Sequence, residues 1–115
     1  MRLRVASWNV RSLLEATRKA QVFSILRYLR ADIAIVQETW QKEGSQLDLF
    51  GWHGSGSGTP RPSVEPRAGV AILCRKWVER LQPSFRELVP GRALEVVLKP
   101  SETDTLRLVG YYGPS

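Results

Sequence analysis

Apolar runs and polar stops alternate along the first forty residues in a pattern that predicts strand, helix, strand. Leu3 to Asn9 is rich in β-branched and aromatic side chains and stops at a carboxamide, as a buried strand does at its mouth. Ala20 to Leu29 then places Val22, Ile25, Leu26 and Leu29 at helical spacing, which predicts a helix over about Thr17 to Arg30. Ile33 to Val36 is a continuous apolar run ending at Gln37 and Glu38, which predicts a second strand over Asp32 to Glu38. Such a unit normally closes right-handed with its strands parallel, so Asn9 and Glu38 should emerge at the same sheet edge.

Further along, the pattern is less regular. Gln41 to Leu47 reads as a polar connector and Leu49 to Trp52 as a short apolar piece. The Gly-Ser-Gly-Ser-Gly and proline composition after His53 predicts a flexible loop over residues 53–67. Ala68 to Leu73 resumes as a strand, with Trp77 to Leu81 as its expected hairpin partner, and Pro83 to Gly91 reads as a connector. Arg92 to Leu98 and Thr105 to Tyr112 predict an antiparallel pair, with Leu94, Val96 and Leu98 on one face.

Four blocks now stand in order: Ser7-Trp8-Asn9-Val10, Asp32-Ile33 with Gln37-Glu38-Thr39, Ala68 to Leu73, and Val109 to Pro114. Together they resemble the N-terminal half of the endonuclease/exonuclease/phosphatase superfamily, closest to the apurinic-type endonuclease domains of non-LTR retrotransposons. The resemblance spans nearly the whole chain and about half of that family's domain, so residues 1–115 read as its N-terminal portion. It implies an α/β (α+β) fold: part of a four-layer α/β sandwich with a mixed β-sheet and one main helix, half of a DNase I-like fold. One sheet face is then expected to lack its partner, and self-association through that face follows as an expectation.

The resemblance also carries site residues. Glu38 falls on the family's metal-binding glutamate, and Asn9 on the asparagine that orients that glutamate and the scissile phosphate. Both count as candidate catalytic and metal-binding residues. The implied cation is Mg²⁺, or Mn²⁺ in its place. A hard cation relieves the repulsion between a nucleophile and a phosphodiester, and Mg²⁺ keeps most of its waters, so one carboxylate is a sufficient anchor. Tyr112, two residues before Pro114, matches the tyrosine that lies against the attacked phosphate and is the third catalytic candidate. Gln37 alternates to the opposite face from Glu38 and carries less weight. Arg11 is the candidate phosphate contact and Trp40 a candidate stacking residue for nucleic acid. His53, beside the Gly/Ser stretch, reads as a surface loop residue, and Cys74, in an apolar strand, as an inert core thiol.

Charge narrows the partner. Lys and Arg number 17 against 11 Asp and Glu, a net charge of +6, which favours an anionic partner such as DNA. The single cysteine excludes an internal disulfide. With no signal-peptide pattern or membrane-length apolar run, it predicts an intracellular protein, nuclear or cytoplasmic, without membrane contact. The resembling family also carries an Asp-x-Asn segment and a Ser-Asp-His-type segment that these residues lack. The expectation is therefore Mg²⁺-dependent phosphodiester hydrolysis with little turnover by this chain alone. The alternatives are a non-catalytic basic module that binds nucleic acid or protein, and a phosphoinositide phosphatase or sphingomyelinase-like enzyme.

Overall fold

The computed structural model describes residues 2–41, 46–49, 51–58 and 68–113. Strand β1 (Val5–Asn9) is followed by helix α1 (Ala16–Tyr28) and strand β2 (Ile33–Gln37). Then come β3 (Gln46–Leu49), β4 (Trp52–Ser57), β5 (Val70–Arg75), a 3-10 helix (Lys76–Leu81), β6 (Ser84–Val89), β7 (Ala93–Leu98) and β8 (Leu106–Tyr111). The first five strands form one mixed sheet in the order β1-β2-β5-β4-β3, and the last three an antiparallel sheet in the order β6-β7-β8. β1 and β2 run parallel with Asn9 opposite Gln37, as the strand-helix-strand pattern predicted. β7 and β8 form the predicted antiparallel pair.

Alternation along β2 divides the core in two. Ala34 and Val36 face α1 and pack with Val22, Phe23, Leu26 and Trp52, while Ile33 and Ile35 face the second sheet and pack with Leu94, Val96 and Leu98. This is why β2 reads as unbroken hydrophobic sequence: both of its faces are covered. The helix turns a slightly different stripe inward than its spacing suggested. Val22, Phe23 and Leu26 are buried, and Ile25 and Leu29 remain about half exposed. Phe23 claims the inward direction because its ring reaches Trp52, with centroids 6.2 Å apart.

A bare sheet face was expected, and among the described residues it is the outer face of the second sheet. The chain contributes strands to both sheets, so they stack on each other and α1 covers the far side of the first. Three layers of the family's four are present. The outer face of the second sheet is mixed in character: Glu95, buried beneath the ends of Arg86 and Arg107 at 3.6 and 3.4 Å, lies beside exposed Val109.

Three further expectations are corrected. Residues 53–57 are strand, not loop: β4 lies between β3 and β5, and Gly54 is there because neighbouring backbone comes too close for a side chain. Residues 59–67 of the expected loop lie outside the described residues. Trp77 to Leu81 belongs to a 3-10 helix rather than a hairpin strand, with Val78 and Leu81 buried three residues apart as that period requires. Residues 84–89, expected as connector, form the edge strand β6, whose two flanking prolines sit just outside it, where no ladder hydrogen bond is lost.

Cys74 sits in β5 with no exposed surface, and burial pushes its thiol up to about 12. Only the thiolate attacks electrophiles, and at pH 8 about one molecule in ten thousand would carry it. Labelling with a chromogenic disulfide reagent should be negligible in the native protein and rapid in urea. Fast native labelling would show that β5 opens readily.

Candidate active site

The ladder between β1 and β2 continues past the strand ends. Val10 N–H donates to Gln37 O at 2.9 Å, Ser12 N–H to Glu38 O at 2.6 Å, and Leu13 N–H to Thr39 O at 2.9 Å. Two exit loops are thereby held side by side. Their backbones are unusual: Arg11, Ser12, Glu38 and Trp40 all have positive φ, at 52°, 105°, 56° and 60°. Non-glycine residues in that region are costly, and they persist where surrounding structure imposes them, most often around functional sites.

The imposed conformation brings the two predicted residues together. Asn9 Nδ2 donates to Glu38 Oε2 at 2.5 Å, and Asn9 Oδ1 accepts from Arg11 N–H at 3.2 Å. The Asn9 amide is thus oriented by one bond and orients Glu38 by the other, using the donor and acceptor that a carboxamide supplies without titrating. A carboxylate has about four lone-pair sites, so the bond to one oxygen leaves acceptor capacity for a cation.

It is Glu38, and not Gln37, that departs from the expected alternation. The strand ends at Gln37, so the positive φ at Glu38, not the pleat, sets the direction of the carboxylate. Gln37 stands opposite Asn9 in register and donates to Ser7 Oγ at 3.0 Å, adding a polar row beside the carboxamide.

The second sheet reaches the same end through backbone bonds. Thr39 N–H donates to Gly69 O, Gly69 N–H to Gly91 O, and Tyr112 N–H to Arg92 O. Gly69, at φ +118°, must be glycine, because a Cβ would meet Thr39 Oγ1 at 2.3 Å. Tyr112 is therefore at the mouth end, its ring beneath the Arg92 guanidinium at 5.1 Å, whereas Tyr111 is exposed. Ser57 fastens the sheets nearby: its Oγ accepts from Gly91 N–H at 2.8 Å and donates to Glu87 at 2.6 Å.

Among the other candidates, Arg11 is exposed beside Asn9, and Trp40 is half buried with its backbone N–H bonded to Ala68 O. His53 pairs with Cys74 across β4 and β5 at the opposite end of the strands, where it contacts Glu79 at 3.3 Å. It is half buried on a strand rather than a surface loop residue.

Arg18 carries a role the sequence did not suggest. A charged residue at a polar helix position would ordinarily be solvated, yet Arg18 donates to Val10 O through Nε at 3.1 Å and through a terminal nitrogen at 2.8 Å. Only its place one helical turn after an N-terminus next to the Asn9 loop hinted at this. Charged hydrogen bonds are worth about 1.5–3 kcal/mol, discounted here for partial exposure. Arg18→Ala should lower stability by about 1–2 kcal/mol in urea unfolding. Lys19→Ala should stay within about 0.5 kcal/mol, and equal effects would contradict the bracing role.

Among the described residues no group of three or more His, Cys, Asp or Glu side chains is placed to hold a metal ion. The donor set that is present, one carboxylate and one carboxamide oxygen at a loop edge, suits a hard cation that keeps most of its water and not zinc. Among the described residues, no helix is long and apolar enough to cross a membrane.

Two stacked sheets with an asparagine–glutamate pair at the ends of parallel strands define a DNase I-like fold carrying a polar mouth. The Endonuclease/Exonuclease/phosphatase family model matches residues 6–114, and the chain belongs to that family. Its fold is similar to AP endonuclease LMAP from Leishmania major, with a TM-score of 0.73 and 17% identity over 96% of this chain. The chain spans 40% of the length of that enzyme. No curated protein sequence matches it.

Proposed function

We propose that this chain supplies the cation-anchoring part of a Mg²⁺-dependent phosphodiesterase site acting on DNA, of the apurinic, retrotransposon-like type. The observation that carries the reading is the 2.5 Å bond from Asn9 to Glu38, held by two strained loops. Glu38 and Asn9 would hold Mg²⁺, or Mn²⁺, which when bound neutralises charge on the phosphoryl oxygens. Tyr112 would donate to a phosphoryl oxygen, Arg11 would contact an adjacent phosphate, and Trp40 would stack on a sugar or base. The net charge of +6 and the fold shared with an AP endonuclease both support DNA as the polymer.

Hydrolysis also needs a base to prepare water, and His53 stands at the wrong end for that task. Turnover by this chain alone is therefore expected to be slight. Fluorescence anisotropy should show the chain binding a short labelled duplex, more weakly as salt rises, with Arg11→Ala weakening it further. Absence of binding at low salt would defeat the DNA assignment. Strong Mg²⁺-dependent nicking of plasmid that Glu38→Gln abolishes would keep the site but overturn the expectation of slight turnover.

A further inference from the structure

The strand ends opposite the mouth gather positive charge for which the proposed site has no use. Arg4, Arg30, Arg75 and Lys76 all abut the short corner at Ala31 and Asp32. Arg4 O accepts from Asp32 N–H and Ile33 N–H, Arg75 N–H donates to Asp32 O, and Arg75 Nε donates to Ala31 O. The corner's carboxylate is occupied within the fold, Oδ2 by Arg4 N–H at 2.8 Å and Oδ1 by the Trp77 indole N–H at 3.0 Å. Glu79, the next acidic group, is beside His53. The β7–β8 turn brings Glu102 and Asp104 to this end on the second-sheet side, where Asp104 is bonded to Ser101.

Around the corner Arg4, Arg27, Arg30, Lys76 and Arg80 are exposed. The helix dipole accounts for Arg27 in the last turn of α1, but not for the 3-10 helix or for β1. Tyr28, between Arg27 and Arg30 in the chain, is 85% exposed, an aromatic face left in water. We propose that this basic end is a second nucleic-acid surface, taking the phosphates of a single strand on its arginines and lysines and stacking an unpaired base on Tyr28. A ring so open can stack on a splayed base but not on one paired within a duplex. A lipid surface fits less well, because Val78 and Leu81, the aliphatic residues of the 3-10 helix that carries Lys76 and Arg80, are buried. Arg4 and Asn9 are separated by about 17 Å of extended chain, so the two ends hold different phosphates.

The test is anisotropy of a labelled single-stranded oligonucleotide against the intact chain across a salt series. The triple variant Arg4→Gln, Lys76→Gln, Arg80→Gln should bind at least about fivefold more weakly. Its log–log salt slope should be shallower by about 0.7 for each phosphate that the variant no longer neutralises. Tyr28→Ser should weaken binding about fivefold or more with the slope kept. Lys19→Gln, which removes one positive charge near the start of α1, should leave this binding within about twofold, which separates the basic end from a general effect of net charge. If the triple variant unfolds by circular dichroism, amide shifts of the wild-type protein on adding the oligonucleotide should fall at residues 27–32 and 75–80. Loss with Arg11→Ala alone, shifts confined to the mouth, or binding to phosphatidylserine vesicles with none to the oligonucleotide would each overturn the proposal.

Discussion

Replacing Gly54 by alanine should cost about 3 kcal/mol or more, a large share of the roughly 5–15 kcal/mol by which a domain is stable. A Cβ there would lie 2.0 Å from Ile72 O and 2.9 Å from both Ile72 C and Leu73 Cα. All three are backbone atoms in the centre of the first sheet, where β5 pairs with β2 on one side and β4 on the other. No rotamer change can relieve the clash, so β4 must move away and take Ser57, which joins the two sheets, with it. Gly110→Ala is the informative contrast. Its Cβ would meet Ile35 Cγ2 at 2.6 Å and Val70 Cγ1 at 2.9 Å, which are side-chain methyls able to shift, so a smaller loss of about 1–3 kcal/mol is expected. Urea unfolding followed by tryptophan fluorescence reads both, with Ser55→Ala as a control in the same strand. A Gly54→Ala midpoint equal to wild type would mean that β4 does not lie against β5 as described.

Glu38→Gln should weaken divalent cation binding at least about tenfold while leaving the fold intact. The substitution keeps the shape and an acceptor oxygen for Asn9 Nδ2, so the loop contact survives as a neutral bond. What it removes is the negative charge, the one property a hard cation with mostly water ligands takes from a lone carboxylate. Calorimetric titration with Mn²⁺ checks the affinity, and thermal unfolding checks the fold. Unchanged Mn²⁺ affinity would mean the cation binds elsewhere.

How far the sequence could be read depended on whether each element announced itself through apolar alternation. α1, β2 and the β7–β8 pair did, because their buried faces pack on a helix or a second sheet; β1, expected as a buried strand, is an edge strand with no fully buried residue, yet its predicted parallel register with β2 holds and sets Asn9 opposite Gln37. β4 did not, since close backbone approach demanded a glycine at position 54, which with the neighbouring serines and Gly56 reads as loop. β6 did not either: it is an edge strand with four consecutive exposed positions from Arg86 to Val89, so no alternation marks it. At the site, residue types identified Asn9 and Glu38, but the positive φ at Glu38 was invisible, and with it the reason that Glu38, one residue past the position opposite Asn9, still reaches the carboxamide. Arg18 was missed because a half-buried arginine and a solvated one have the same sequence signature.

The claim on which the functional reading rests is that the paired carboxamide and carboxylate hold a divalent cation. Paramagnetic broadening by substoichiometric Mn²⁺ in amide-resolved spectra locates a bound ion directly. The account predicts that broadening is centred on residues 9–12 and 37–40 and disappears in Glu38→Gln. Broadening that persists in that variant, or that is centred elsewhere, would contradict it.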